Sequence, residues 1–222
     1  MKNLVMIGGG VDSAVVLGIL CHSGLQVEGL HIDLGNSKKQ REAAEKLCDN
    51  YKVNLEVIEF DIKKLWKPSE DSKMWPFYCG YGQLMMTIAY AYADRKDCGV
   101  VYTGEYDILD ESSKSSLDVP EAERWNFSKK RLIWDSNLWA YHDVMQVYKK
   151  LYSLDRMMVC HPLAGFDQVN VVALGKMLGV PFHLTNSCSN GDVPKHCGKC
   201  VKCEERIAAF DKAGVSWIRE PQ

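Results

Sequence analysis

The 222-residue chain predicts an α/β protein, a doubly wound and mainly parallel sheet with a C-terminal zinc-binding segment. Three observations predict it. Short apolar runs alternate with helix-length stretches through the first half, three glycines stand between the first run and the first helix, and four cysteines gather near the end. Strands separated by helices of this length imply right-handed crossovers and a sheet covered on both faces.

The elements follow in order. Asn3–Ile7 (NLVMI) is a short apolar run, read as a buried strand. Val11–Cys21 is apolar on most sides, as expected of a helix packed on a sheet. Val27–Ile32 reads as a second strand, followed by a charged helix over Lys38–Asp49. Asn54–Phe60 alternates as a third strand, Gln83–Lys96 reads as a helix and Gly99–Thr103 as a fourth strand. Asn137–Tyr152 and Val169–Leu178 also look helical. Lys67–Gly82 and Glu105–Lys130 are less regular. The second stretch, long and polar, reads equally as a mobile substrate cover or a disordered insertion.

Composition excludes some functions. The hydrophobic share of 46% and charged share of 25% are ordinary for a globular protein, and the length suits one sizeable domain with a small appendage. A net charge of -2 gives no bulk attraction to polyanions, so general nucleic-acid binding is not expected. The opening MKNLVMIGGG is neither a secretory signal nor long enough to cross a membrane, and no later apolar stretch spans one. Without an export signal, clustered cysteines point to metal and scattered ones to buried thiols, and the cytoplasm is the expected compartment.

The segment Ile7-Gly8-Gly9-Gly10-Val11-Asp12-Ser13 lies where ligands collect in open parallel sheets, after the carboxyl end of a strand. Glycines let the main chain approach an anion closely, and the next helix aims free N–H groups and its positive dipole end at the same place. Ser13 adds a hydroxyl. Asp12 would face phosphate only through a Mg²⁺, since two anions repel. Neither G-x-x-x-x-G-K-[ST] nor G-x-G-x-x-G fits. The competing reading is a tight turn without a ligand.

Cys197, Cys200 and Cys203 form C-x-x-C-x-x-C, with Cys188 upstream. Four thiolates at about 2.3 Å close a tetrahedral shell around zinc and leave no open position, which makes a structural site that fastens the C-terminal segment. An iron–sulfur cluster, disulfides and a redox dithiol are the alternatives. Cys21, Cys48, Cys98 and Cys160 lie in apolar settings and read as core fillers, whereas Cys79 in the irregular Trp75–Gly80 segment could border a site.

The segment GGGVDS resembles the SGG-x-DS signature of PP-loop ATP pyrophosphatases, the adenine nucleotide alpha-hydrolase-like fold, and a glycine loop followed by a late four-cysteine box resembles the QueC (7-cyano-7-deazaguanine synthase) branch. His31-Ile32-Asp33-Leu34-Gly35, Val101-Tyr102-Thr103-Gly104, His161-Pro162-Leu163 and Gly179-Val180-Pro181 match in order, so the likeness runs from about residue 3 to 213. The resemblance implies a nucleotide domain over 1–185 and a zinc segment over 186–222 packed on it. It implies ATP contacts from Gly8, Gly9, Gly10, Val11, Asp12 and Ser13, with Asp33 and Gly104 nearby, and Mg²⁺ at Asp12.

Departures fall around the implied site. Gly8 replaces the family's first serine, the V-P-G-R-N loop reads Tyr78-Cys79-Gly80-Tyr81-Gly82-Gln83 without its arginine, and a usual lysine is Gln168. By resemblance, the carboxylate of 7-carboxy-7-deazaguanine is adenylated and captured by ammonia, giving an amide and then the nitrile. A second reading keeps the activation but uses an amine of a protein or other macromolecule, as in antiphage defence settings. A third is a divergent non-catalytic binding module. No general base stands out, because His31, His142 and His161 read as structural histidines. A homodimer fits the family, but no residue locates its interface.

Overall fold

The computed structural model describes residues 2–35, 37–61, 81–105, 157–188 and 196–216. Five strands form one sheet: β1 (Lys2–Met6), β2 (Val27–Asp33), β3 (Asn54–Glu59), β4 (Cys98–Tyr102) and β5 (Met158–Cys160). All neighbours pair in parallel, in the order β3-β2-β1-β4-β5. The helices are α1 (Val11–His22), α2 (Lys38–Tyr51), α3 (Tyr81–Arg95), α4 (Gln168–Met177) and α5 (Val201–Lys212), with a short 3₁₀ turn at Phe182–Leu184.

Side chains alternate across the central strand, and that alternation divides the core. Leu4 joins Leu30, Ile32 and Val101 in a cluster with Met86, Ala89 and Ala93 of α3. Val5 faces the opposite way, into α1, α2, α4 and α5 through Val15, Leu17, Leu47, Val172 and Phe210. The sheet is therefore wrapped on both faces, as its apolar runs require. Burying each such Leu or Val contributes about 1.5–3 kcal/mol. Helix α1 is buried nearly all round, from Val11 through Ala14, Val15, Val16 and Leu17 to Leu20. Its sequence consequently lacks a polar stripe.

Local chemistry sets the helix ends. Ser37 accepts from Gln40 N at 3.3 Å and starts α2, and Asp167 accepts from Asn170 N at 2.7 Å and starts α4. Lys52, in the left-handed region at φ 56°, ends α2.

Two elements differ from expectation by addition. Strand β5 has three residues, too few for periodicity to register. Helix α5 buries Cys203, Arg206, Ala209 and Phe210, a helical spacing in which a cysteine and an arginine stand where apolar residues usually mark the face. Helix α3 starts two residues before the expected Gln83, at Tyr81. The expected helix over Asn137–Tyr152, Cys79, His142 and nearly all of the two irregular stretches lie outside the described residues.

Candidate functional site: a glycine loop tied to a four-cysteine cluster

The strand order reverses between β1 and β4, and in open parallel sheets that reversal leaves a crevice at the carboxyl ends of the strands. The segments that follow these two strands, Gly8–Ser13 and Thr103–Glu105, meet there. Gly9 has φ +78°, and a Cβ on it would stand 2.3 Å from the Gln40 carbonyl oxygen in the first turn of α2. Only glycine fits that backbone and that contact. A Cβ on Gly104 would stand 2.9 Å from Ser13 N, so β4 delivers its loop directly against the start of α1.

The loop is braced from within. Gly8 N donates to Ser13 Oγ at 3.2 Å, and Ser13 Oγ donates to the Gly10 carbonyl at 3.3 Å. The Ser13 hydroxyl thus holds the loop in shape. Gly10 caps α1 without a side-chain hydrogen bond, and Ala14 N is the first amide of the helix to reach a carbonyl of the preceding turn, Gly10 O at 3.2 Å. The amides of Val11, Asp12 and Ser13 precede that first bond, at the positive end of the helix.

Asp12 occupies this end. Its Oδ1 is buried with no hydrogen-bond partner among the described residues. Burial pushes its carboxyl up to about 7, with Lys202 and Arg206 pulling it down and Glu105 pushing it up. A buried acceptor next to free amide donors suits a bound anion that brings its own cation.

Asp33, at the end of β2, has both oxygens engaged. Oδ1 accepts from Gly35 N at 2.9 Å, and Oδ2 lies 3.4 Å from the Arg41 guanidinium, which also reaches Glu59 at 2.6 Å and Glu45 at 3.1 Å. His31 bonds the Ile7 carbonyl through Nδ1 at 2.7 Å and supports the end of β1. His161 meets Thr103 Oγ1 at 2.6 Å, and burial lowers its pKa.

The C-terminal segment reaches the glycine loop through its backbone, since Asn186 N donates to Gly9 O at 2.8 Å. Arg206 of α5 holds the strip containing Asn186: its guanidinium donates to Thr185 Oγ1 at 2.8 Å, Ser187 Oγ at 3.1 Å and Phe182 O at 3.0 Å. It lies over the Phe210 ring at 4.6 Å. Burial lowers the Arg206 pKa to about 10, against the opposing charges of Cys203 and Asp12. Ser187 N donates to His196 Nε2 at 3.1 Å. Burial, then the charges of Arg206 and Lys39, push that imidazole down to about 4, so it is a neutral acceptor. Sequence reasoning missed Arg206 and Asn186. Arg206 had a usable signal, lying three residues after Cys203 and hence on the same helical face.

Cys188, Cys197, Cys200 and Cys203 come together, with all four sulfurs within 4.8 Å of one another. Cys188 and Cys200 sulfurs are 4.0 Å apart, and those of Cys197 and Cys203 are 3.9 Å apart. A tetrahedron of ~2.3 Å metal–sulfur bonds has edges of ~3.8 Å, so the four thiols match the shell of a single ion. A multi-iron cluster, with its irons between the ligands, needs them spread further. Burial pushes the Cys203 thiol up to about 12, with Cys200 and Cys188 adding to the rise, so an ion must displace protons to bind.

The remaining described cysteines lie in packed surroundings. Burial pushes Cys48 up to about 12 and raises Cys21, Cys98 and Cys160, as expected of inert protonated thiols. No helix among the described residues is long and apolar enough to cross a membrane.

The sequence pattern of one family, described as queuosine biosynthesis protein QueC, matches residues 2–74 and 137–214. The chain is similar to the 7-cyano-7-deazaguanine synthase of Picrophilus torridus, at 27% identity over 96% of this chain and 88% of that protein. It is likewise similar to the 7-cyano-7-deazaguanine synthase of Chloroherpeton thalassium, at 26% identity over 100% of this chain and 96% of that protein. Among solved structures, NMN synthetase from Francisella tularensis shares the fold, with a TM-score of 0.52 at 18% identity, covering 98% of this chain and 79% of that one.

Proposed function

This chain belongs to the QueC family, and from that premise we propose that it spends ATP to activate the carboxylate of 7-carboxy-7-deazaguanine for attack by ammonia, giving 7-cyano-7-deazaguanine. The observation that carries the reading is the Gly8–Ser13 loop: a left-handed glycine, amides at a helix start and a buried, unpartnered carboxylate oxygen share one crevice.

A carboxylate resists amines because its leaving group would be oxide. Attack of its oxygen on the α-phosphorus of ATP forms an acyl-adenylate and releases pyrophosphate. Ammonia then adds at the acyl carbon, AMP leaves, and a proton is lost to give the amide. A second adenylation, at the amide oxygen, makes that oxygen a leaving group. Loss of AMP and a proton from nitrogen then gives the nitrile. The protein's part is mainly to orient the reactants and stabilise phosphate charge.

In this reading Gly8, Gly9, Gly10 and Val11 present their backbone to the pyrophosphate end, and Ser13 holds their shape. Asp12 would hold Mg²⁺ or its water shell, and Mg²⁺ would offset phosphate charge. Gly104 gives the α-phosphate side close access. Asp33 acts through the Gly35 turn and Arg41, which shape the wall beside β2. The metal at the cysteines is zinc, supported by four sulfurs at single-ion spacing. Residues 1–185 form the nucleotide domain and 186–222 a segment packed on it, supported by Ala209 and Phe210 sharing a cluster with α1.

Product analysis tests the proposal. With ATP, Mg²⁺, 7-carboxy-7-deazaguanine and ammonium, mass spectrometry should find the nitrile and two AMP per molecule formed. Formation of AMP with the acyl group on a protein amine instead would reassign the acceptor. No AMP with any acceptor would leave a binding module.

A further inference from the structure

Lys39 lies in the first turn of α2 and immediately precedes Gln40, whose carbonyl underlies Gly9. Its Nζ is buried and has no hydrogen-bond partner among the described residues. Two terms oppose a cation there. Taking an ammonium out of water costs several kcal/mol unless an anion or good acceptors compensate. The start of a helix also carries positive partial charge, and the first turn of α2 contains no acidic residue. An arrangement this unfavourable in isolation fits a place that an anion completes.

The surroundings agree on the kind of anion. Helices α1 and α2 both begin at the glycine loop, one after Gly10 and the other with Gln40 against Gly9. Three buried polar atoms without a hydrogen-bond partner among the described residues stand on the helices packed around it: Asp12 Oδ1 on α1, Lys39 Nζ on α2 and Arg206 Nε on α5. Two are donors that need an anion and one is an acceptor that needs a cation. A simple carboxylate ligand would satisfy the donors and leave Asp12 repelled. A polyphosphate with its divalent cation satisfies all three.

We infer that Lys39 is a binding residue for the pyrophosphate end of a magnesium-bound nucleoside triphosphate, an inference that rests on the nucleotide reading above. Its ammonium meets terminal phosphate oxygens while the loop amides take the inner ones. Lys39 makes no contact with the base or ribose, so it discriminates triphosphate and pyrophosphate from monophosphate.

Calorimetric titration of wild-type and Lys39→Met protein tests this, using magnesium pyrophosphate, a non-hydrolysable ATP analogue with Mg²⁺, and AMP. Methionine keeps the apolar stem and removes a charge without a partner, so the ligand-free variant should melt at or above the wild-type temperature. It should bind pyrophosphate and the analogue at least about tenfold more weakly, with AMP affinity unchanged. Lys39→Arg should recover part of the loss. Wild-type affinity in Lys39→Met for pyrophosphate and analogue overturns the role of Lys39 while leaving the nucleotide reading intact. A variant that fails to fold also overturns it, because the charge would then be structural. Wild-type protein that binds neither pyrophosphate nor the analogue removes both.

Discussion

The backbone N–H of Asn186 donates to the carbonyl of Gly9 at 2.8 Å, so the loop that begins α1 is held by the segment that leads into the cysteine cluster. Cys188 lies two residues beyond Asn186, and its N–H donates to Asn186 Oδ1 at 2.9 Å. The metal-ligand segment and the glycine loop are therefore one hydrogen-bonded strip, clamped from α5 by Arg206.

Arg206→Met tests the clamp. Removing the guanidinium leaves Ser187 Oγ and Thr185 Oγ1 without a buried donor and should cost about 2–4 kcal/mol in urea unfolding of the metal-loaded protein. One bound metal ion per chain should remain, and the Michaelis constant for ATP should rise. Unchanged stability would show that the three hydrogen bonds of Arg206 carry little.

Gly8 and Gly9 should separate sharply on substitution. A Cβ on Gly8 meets nothing within 4 Å, so Gly8→Ala should fold normally. Gly9→Ala places a methyl against the Gln40 carbonyl in a left-handed backbone and should lose about 1–3 kcal/mol with loss of phosphate binding. Thermal melting with pyrophosphate titration of both variants measures the difference.

Asp12 sets a pH dependence. Its folded pKa of about 7 lies above the ordinary 3.8, so between those values the folded state binds more protons than the unfolded one. Asp12 therefore makes stability fall as pH rises through that window, and Asp12→Asn removes the fall. Denaturation below pH 3.8 should show the variant close to wild type, and at pH 8 more stable. Where Mg²⁺ engages the ionised carboxylate, magnesium-dependent binding should weaken below pH 7, by up to about tenfold per unit.

The cysteine cluster should hold one ion. Metal analysis should find one zinc per chain, and Cys203→Ser, which removes a fully buried ligand, should lower metal content and stability together. Iron with labile sulfide in anaerobically prepared protein would contradict the single-ion reading.

Much of the fold was legible because its signals are local. Asn3–Ile7 and Val27–Ile32 are apolar runs bounded by turns, and they became β1 and β2 almost residue for residue. The cysteine cluster was legible because C-x-x-C-x-x-C brings sulfurs together through one knuckle and one helical turn. Arg206, Asn186 and Lys39 were not, because their meaning depends on which segments meet. Asn186 acts through a backbone amide that carries no side-chain signal, and Lys39 reads in sequence as one more cation on a charged helix. Asp33 was placed correctly at a strand end, but its ties to Gly35 and Arg41 arise only when β2, β3 and α2 pack.

In the proposed function, the amides from Gly9 to Ser13 hold the phosphate tail of ATP. Calorimetry of the metal-loaded protein with Mg²⁺ and a non-hydrolysable ATP analogue tests it most directly, with Gly9→Ala alongside. The wild type should give a saturable one-to-one heat that Gly9→Ala abolishes. Equal binding by both proteins, or none by the wild type even with 7-carboxy-7-deazaguanine present, would contradict it.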